Sequence, residues 1–124
     1  MIYTSYFGQI KNFPKDFEPI CISRWKPKWY KGKSLPDLAP SEGLLTWWRG
    51  SAQDREARRA YTTQYYKEVL GKYTPQGVKK MIKTVAGNKT PVLICFEKSN
   101  AFCHRHILRV WLNYHGIECE EWNG

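Results

Sequence analysis

Apolar positions along this chain fall into four short runs that are typical of strands. β-Branched and aromatic residues are concentrated in segments 2–6 and 19–24, and an uninterrupted apolar run covers residues 91–96. Apolar and acidic residues alternate over residues 117–122. These patterns predict four strands, of which the third is buried on both faces and the last lies at an edge of the sheet.

Other segments show the spacing of amphipathic helices. The clearest pattern recurs at every fourth position from Ala57 to Val69, so that one face of that helix is apolar. Capping residues mark three helix starts: Ser41, the pair Thr74-Pro75, and Ser99 or Asn100. We predict helices over residues 41–49, 53–72, 74–87 and 100–115.

The order of these elements predicts an α/β protein, with a small, mainly parallel sheet of about four strands flanked by helices in a Rossmann-like single layer. We expect residues 1–124 to form one domain. Residues 25–40 contain three prolines and are predicted to be a long loop, a feature that is often functional.

The amino-acid composition indicates a globular protein with an excess of positive charge. Hydrophobic residues make up 42% of the chain, which is typical of a globular protein. No apolar run reaches the length of a membrane span, so we expect a cytoplasmic protein without a membrane partner. The net charge of +9 favours anionic partners such as nucleotides or nucleic acid, or else serves only to keep the protein soluble.

The segment that joins the third strand to the last helix carries the candidate chemistry. Glu97 stands at the strand exit, where open α/β sheets bind ligands, and Cys103, His104 and Arg105 stand near the predicted helix start. A helix N-terminus and nearby cations lower the pKa of a thiol, so Cys103 is the candidate nucleophile, with His104 or His106 as its base. Glu97 would act as an acid or base or orient the cations. A packed structural cysteine is the alternative.

Ligand-binding candidates stand at the other predicted strand exits. Arg24 and Arg105 could clamp a phosphate or carboxylate through paired hydrogen bonds. The remaining candidates at these exits are Lys98, Tyr6 and Trp25. The alternative is that Glu97 and an arginine form a structural ion pair.

Metal and cofactor motifs are not apparent. Cys95, Cys103, His104 and His106 lack the short paired spacing of structural zinc sites, so we predict no metal. The sequence has neither a Gly-rich dinucleotide fingerprint nor a P-loop, and we predict no cofactor.

A competing interpretation is a non-catalytic module that binds nucleic acid. The segment Trp25–Lys33 mixes lysines with aromatic residues, which suits single-stranded nucleic acid, and the helix segment Arg55–Arg59 is basic. In that case the Cys-His-Arg cluster would be internal scaffolding. The first interpretation is a pocket for a small phosphate-containing ligand, of nucleotide or nucleic-acid origin. The sequence leaves the existence of a reaction and the oligomeric state open.

The chain resembles the family called domain of unknown function 488. The resemblance rests on Cys95-Phe-Glu97-Lys98 followed by Cys103-His104-Arg105, with Ile22-Ser23-Arg24 and Tyr3-Thr-Ser-Tyr6 in matching order. It implies a small α/β fold in which the cysteines, Glu97, His104 and Arg105 cluster near Arg24. It implies no particular reaction.

Overall fold

Five strands and four helices make up the computed structural model, which describes residues 1–124. The strands are β1 (Ile2–Tyr6), β2 (Phe17–Cys21), β3 (Lys33–Ser34), β4 (Thr90–Cys95) and β5 (Cys119–Glu121). The helices are α1 (Glu42–Gly50), α2 (Arg55–Glu68), α3 (Pro75–Ala86) and α4 (His104–Tyr114). No helix has both the length and the apolar character needed to cross a membrane.

All neighbouring strands pair in parallel, in the order β3-β2-β4-β1-β5. The α/β class, the parallel sheet and the edge position of β5 are therefore confirmed. β2 starts earlier than predicted because Phe17 and Glu18 pair with Thr90 and Pro91 of β4. β3 was not predicted, since two exposed residues inside a proline-rich loop carry no apolar signal.

The two faces of the sheet are covered differently. Ile20, Ile22 and Leu93 pack with apolar residues from all four helices in the larger core. On the opposite face, Val92 and Ile94 pack with Phe7 and Tyr30, which lie in a 3-10 turn and in the loop after β2. β4 is thus buried on both faces, as its uninterrupted apolar run predicts.

Helix starts follow the capping residues. The hydroxyl oxygens of Ser41 and Thr74 accept backbone N–H groups at the starts of α1 and α3, as predicted. Asp54 caps α2 in the same way. Gly87, with φ of +67°, ends α3 in a conformation that favours glycine.

Candidate functional site

The candidate site lies at the carboxyl edge of the sheet, around the exit of the central strand β4. Because all strands run parallel, their carboxyl ends meet at this edge. The predicted helix start at Ser99 or Asn100 is wrong, because α4 begins at His104. The ring of Phe102 packs against Trp48 and Tyr61, and Cys103 is extended at φ −158° and precedes the first helical residue.

Cys103 and His104 form a contact pair at this helix start. The His104 Nε2–H donates to the carbonyl of Ile22 at 2.7 Å, and Nδ1 faces the Cys103 sulfur at 3.7 Å. Burial lowers the pKa of His104 to about 4 even though the Ile22 hydrogen bond opposes that shift. The ring is therefore neutral at pH 7, with its Nδ1 lone pair directed at the thiol.

Cys95 is the second thiol of the site. It ends β4 on the helix-covered face of the sheet, and its sulfur contacts that of Cys103. The two Cα atoms are 7.9 Å apart. Arg105 Nη1 donates to the Cys95 sulfur at 2.8 Å.

Arg105 is enclosed by protein groups, contrary to the expectation of an anion clamp. Its side chain has no exposed surface, and Nε and Nη2 donate to the two carboxylate oxygens of Glu121 at 3.2 and 2.9 Å. Burial would raise the pKa of the Glu121 carboxyl, but hydrogen bonds from Arg105 and Thr4 outweigh it and lower that pKa. The structure therefore forms a structural ion pair here, with Glu121 rather than Glu97 as the acid.

Arg24, Tyr6 and Arg105 do not come together around one ligand-binding position. The Arg24 guanidinium donates to the backbone carbonyls of Pro40 and Ala39 at 3.0 and 3.4 Å, which fixes the loop. The Tyr6 ring lies against Arg105, with 5.9 Å between the ring centroid and the guanidinium carbon. The clamp of two arginines that the sequence suggested is not formed.

A small cavity of about 70 Å³ brings together other predicted site residues. Cys103 and His104 line it together with Glu97 and Trp25. Arg49 lines it as well, and its guanidinium carbon lies 5.1 Å from the centre of the Trp25 ring. The other lining residues include the aromatic side chains Trp48, Tyr61, Phe96 and Phe102. The arrangement is a thiol and a neutral imidazole beneath an aromatic wall, with a cation and a carboxylate beside them.

Two of the predicted site residues, Lys98 and His106, lie outside this cavity. Lys98 is exposed in the loop between β4 and α4 and does not line the cavity. His106, the other candidate base, is half-buried on the opposite side of the α4 start, with its Nδ1 4.0 Å from Glu121. The thiol neighbour is His104.

Sequence reasoning missed Arg49 as a site residue and Glu121 as the partner of Arg105. Arg49 closes α1 and reaches the cavity only because α1 packs beside the β4 exit. Glu121 was expected at a strand exit that faces the site, but not as the partner of Arg105. Its partner position depends on β5 lying beside β1, where Thr4 also donates to it at 2.6 Å.

Comparison with known families adds one match. The family model described as "Active DUF488-N3 subclade" matches residues 8–116. The matched segment contains β4, the loop after it and all of α4. No curated protein and no solved structure matches this chain.

Proposed function

The chain belongs to the DUF488 family, in its active N3 subclade, and from this premise we propose that the cavity beside Cys103 binds an anionic, aromatic ligand of the nucleotide kind. Cys103 and His104 form its reactive floor, and Glu97 acts as an acid or base at its side. The observation that carries this proposal is that Cys103, His104 and Glu97 line the same cavity.

The walls of the cavity favour an aromatic ligand. Trp25 is 43% exposed, and Phe96 beside it is 51% exposed, so both rings are available for stacking. The cavity volume of about 70 Å³ admits only part of a nucleotide. The rest of the ligand would therefore lie on the exposed rings at the mouth.

The charge beside the cavity favours an anion. Arg49 lies over the Trp25 ring, and Arg58 lies over the Phe102 ring with 5.6 Å between guanidinium carbon and ring centre. A cation that is held on an aromatic face is partly ordered before the ligand arrives, which reduces the entropy cost of binding. Arg49 and Arg58 thus take the role that the sequence suggested for Arg24 and Arg105.

The test is nucleotide binding by calorimetry, with nucleoside monophosphates and the matching uncharged nucleosides as probes. We expect the monophosphates to bind more tightly than the nucleosides and Arg49→Ala to weaken their binding at least tenfold. Arg59→Ala is the matched control, because Arg59 is an exposed arginine of α2 that does not line the cavity. Equal affinity in the two variants, or no binding by the unmodified chain, would refute the pocket.

A separate experiment measures the reactivity of Cys103. With the chain first reduced and in buffer that contains EDTA, we expect iodoacetamide to modify Cys103 faster than Cys21 and Cys119, which are also buried, and a bound nucleotide to slow that modification. Peptide mass mapping distinguishes the cysteines within one sample. Modification of Cys103 that is no faster than that of the other two would remove the thiol from the proposal.

A second candidate function, single-stranded nucleic-acid binding, is favoured by one specific observation. Trp29 is 62% exposed in the loop after β2, and exposed lysines flank it on both sides. We expect fluorescence anisotropy with a single-stranded oligonucleotide to show affinity that falls steeply with salt and is weakened by Trp29→Ala. Trp47→Ala, an exposed tryptophan of α1, is the control, and a flat salt dependence would exclude this function.

A further inference from the structure

We propose that Cys95, Cys103 and His104 bind one metal ion of the Zn²⁺ class, with a fourth coordination position that faces the cavity. One ligand atom from each residue lies within 4.8 Å of the other two, and all three residues are buried. Two thiolates and one imidazole nitrogen are a ligand set that Zn²⁺ prefers. The spacing along the chain argued against such a site, but the fold brings the end of β4 and the start of α4 together.

One pair of the proposed ligand atoms already has the spacing that a tetrahedral ion requires. With bonds of about 2.3 Å to sulfur and about 2.0 Å to nitrogen, two ligand atoms lie roughly 3.5–3.8 Å apart. The Cys103 sulfur and His104 Nδ1 are 3.7 Å apart. The Cα atoms of Cys95 and Cys103, at 7.9 Å, are farther apart than the 4.4–6.8 Å usual for a disulfide. The two sulfurs are in contact in this structure, so an ion can bind between them only after one cysteine side chain rotates away from the other.

Hydrogen bonds with neighbouring groups hold His104 and Cys95 in the orientation that metal binding requires. Metal-binding histidines usually donate their other ring N–H to a carbonyl or carboxylate, which sets the tautomer. The His104 Nε2–H donates in this way to the carbonyl of Ile22, and its Nδ1 lone pair remains available. Arg105 donates to the Cys95 sulfur, as outer-shell groups do around thiolate ligands.

Charge balance supports a divalent ion. Two thiolates, from Cys95 and Cys103, cancel the two positive charges of the ion, and His104 is a neutral ligand. The buried guanidinium of Arg105 is already balanced by the carboxylate of Glu121. The buried site is therefore neutral as a whole, which avoids the cost of an uncompensated charge in the interior.

The fourth position is open on the cavity side. The cluster contains three ligand residues and no fourth cysteine, histidine or carboxylate. Cys103 and His104 line the cavity beside Glu97. Sites with three protein ligands and an open position are typical of catalytic zinc, whereas structural zinc has four protein ligands. We therefore assign this site to the catalytic type.

The first test measures metal on the full chain purified without chelators. We expect close to one equivalent of metal by mass spectrometry of the elements. We also expect Co²⁺ added to the metal-free chain to give the visible bands of tetrahedral cobalt with a thiolate-to-cobalt charge-transfer band. Cys103→Ser should lower Zn²⁺ affinity at least about 100-fold, because a side chain that binds the ion directly contributes more than the groups that only orient its ligands. Cys119→Ser, another buried cysteine, should leave the affinity unchanged.

A second measurement needs no variant and so does not depend on whether a variant folds. Zn²⁺ should protect Cys95 and Cys103 of the metal-free chain from iodoacetamide and leave the modification of Cys21 and Cys119 unchanged. Lack of selective protection, or a cobalt spectrum without the charge-transfer band, would overturn the site. The inference does not rest on nucleotide binding: a chain that binds Zn²⁺ but no nucleotide refutes only the proposed function, and the reverse result refutes only the metal site.

Discussion

Replacement of Glu121 by glutamine should strongly destabilise the protein, because it leaves the guanidinium of Arg105 buried without its counter-charge. Arg105 has no exposed surface, and the Glu121 side chain is only 12% exposed. The carboxylate accepts two hydrogen bonds from Arg105 and one from Thr4. Glutamine keeps one acceptor oxygen, but its amide group faces a cation.

The expected size of the effect follows from the burial of the pair. Removal of one partner of a buried ion pair costs about 3–5 kcal/mol. We expect the loss for Glu121→Gln to be about 3 kcal/mol, at the lower end of that range, because the carboxylate retains some exposure. A typical protein has a total stability of about 5–15 kcal/mol, so the variant should still fold but with a clearly lower unfolding midpoint.

Denaturant unfolding followed by circular dichroism measures this loss. Glu120→Gln is the control, since Glu120 is an exposed neighbour in β5, and it should change stability by less than about 0.5 kcal/mol. The combined change Arg105→Met with Glu121→Leu should cost less than Glu121→Gln alone, because no buried charge is left unpaired. A loss below about 1 kcal/mol for Glu121→Gln would refute the buried-pair interpretation.

The pH dependence of unfolding stability also tests the Arg105–Glu121 ion pair. The pKa of Glu121 is lowered from its ordinary value of 4.5, with burial opposed and outweighed by the hydrogen bonds from Arg105 and Thr4. A carboxyl with a lowered pKa stabilises the fold above its unfolded pKa, and this contribution is lost as the pH falls through the folded value. The stability difference between the unmodified chain and Glu121→Gln should therefore be constant near neutral pH and shrink below about pH 4.

Two further changes test the surroundings of the site. Tyr65→Phe should cost about 1–2 kcal/mol in denaturant unfolding, because the fully buried hydroxyl donates to the Leu38 carbonyl at 2.6 Å and no other donor replaces it, whereas Tyr66→Phe on the exposed face should cost almost nothing. Asp54→Ala should cost about 1 kcal/mol by removing the cap that accepts the Ala57 N–H at 2.9 Å. Asp54→Asn should retain most of that stability, and equal losses in the two Asp54 variants would contradict the capping role.

Local patterns predicted most of the fold. The start of α3 was evident from Thr74 and Pro75, and β4 from its apolar run, because capping and burial act over neighbouring residues. β3 was missed because its pairing with Ile20 and Cys21, and not its own composition, makes it a strand. The start of α4 was missed because packing of Phe102 against Trp48 and Tyr61 competes with helix formation.

The sequence indicated where the candidate site lies, but it did not indicate which groups each side chain contacts. Adjacent sequence placed Cys103, His104 and Glu97 near one another, and the structure has all three on one cavity. The partner of Arg105 depends on a strand that pairs across the sheet, so Glu121 could not be identified from the sequence near Arg105. The convergence of Cys95 with Cys103 and His104 was implied by the family resemblance, whereas the spacing of these residues along the chain argued against a metal site.

β5 follows α4 along the chain, and this order has a consequence for biosynthesis. During translation, Cys95, Cys103 and Arg105 leave the ribosome before Glu121, so a nascent chain carries the thiols and the guanidinium without the acid that neutralises it. Domains generally fold as units as they emerge, and Arg105 can reach its paired, enclosed form only when β5 has docked beside β1. Maturation of the centre is therefore coupled to the docking of β5 beside β1.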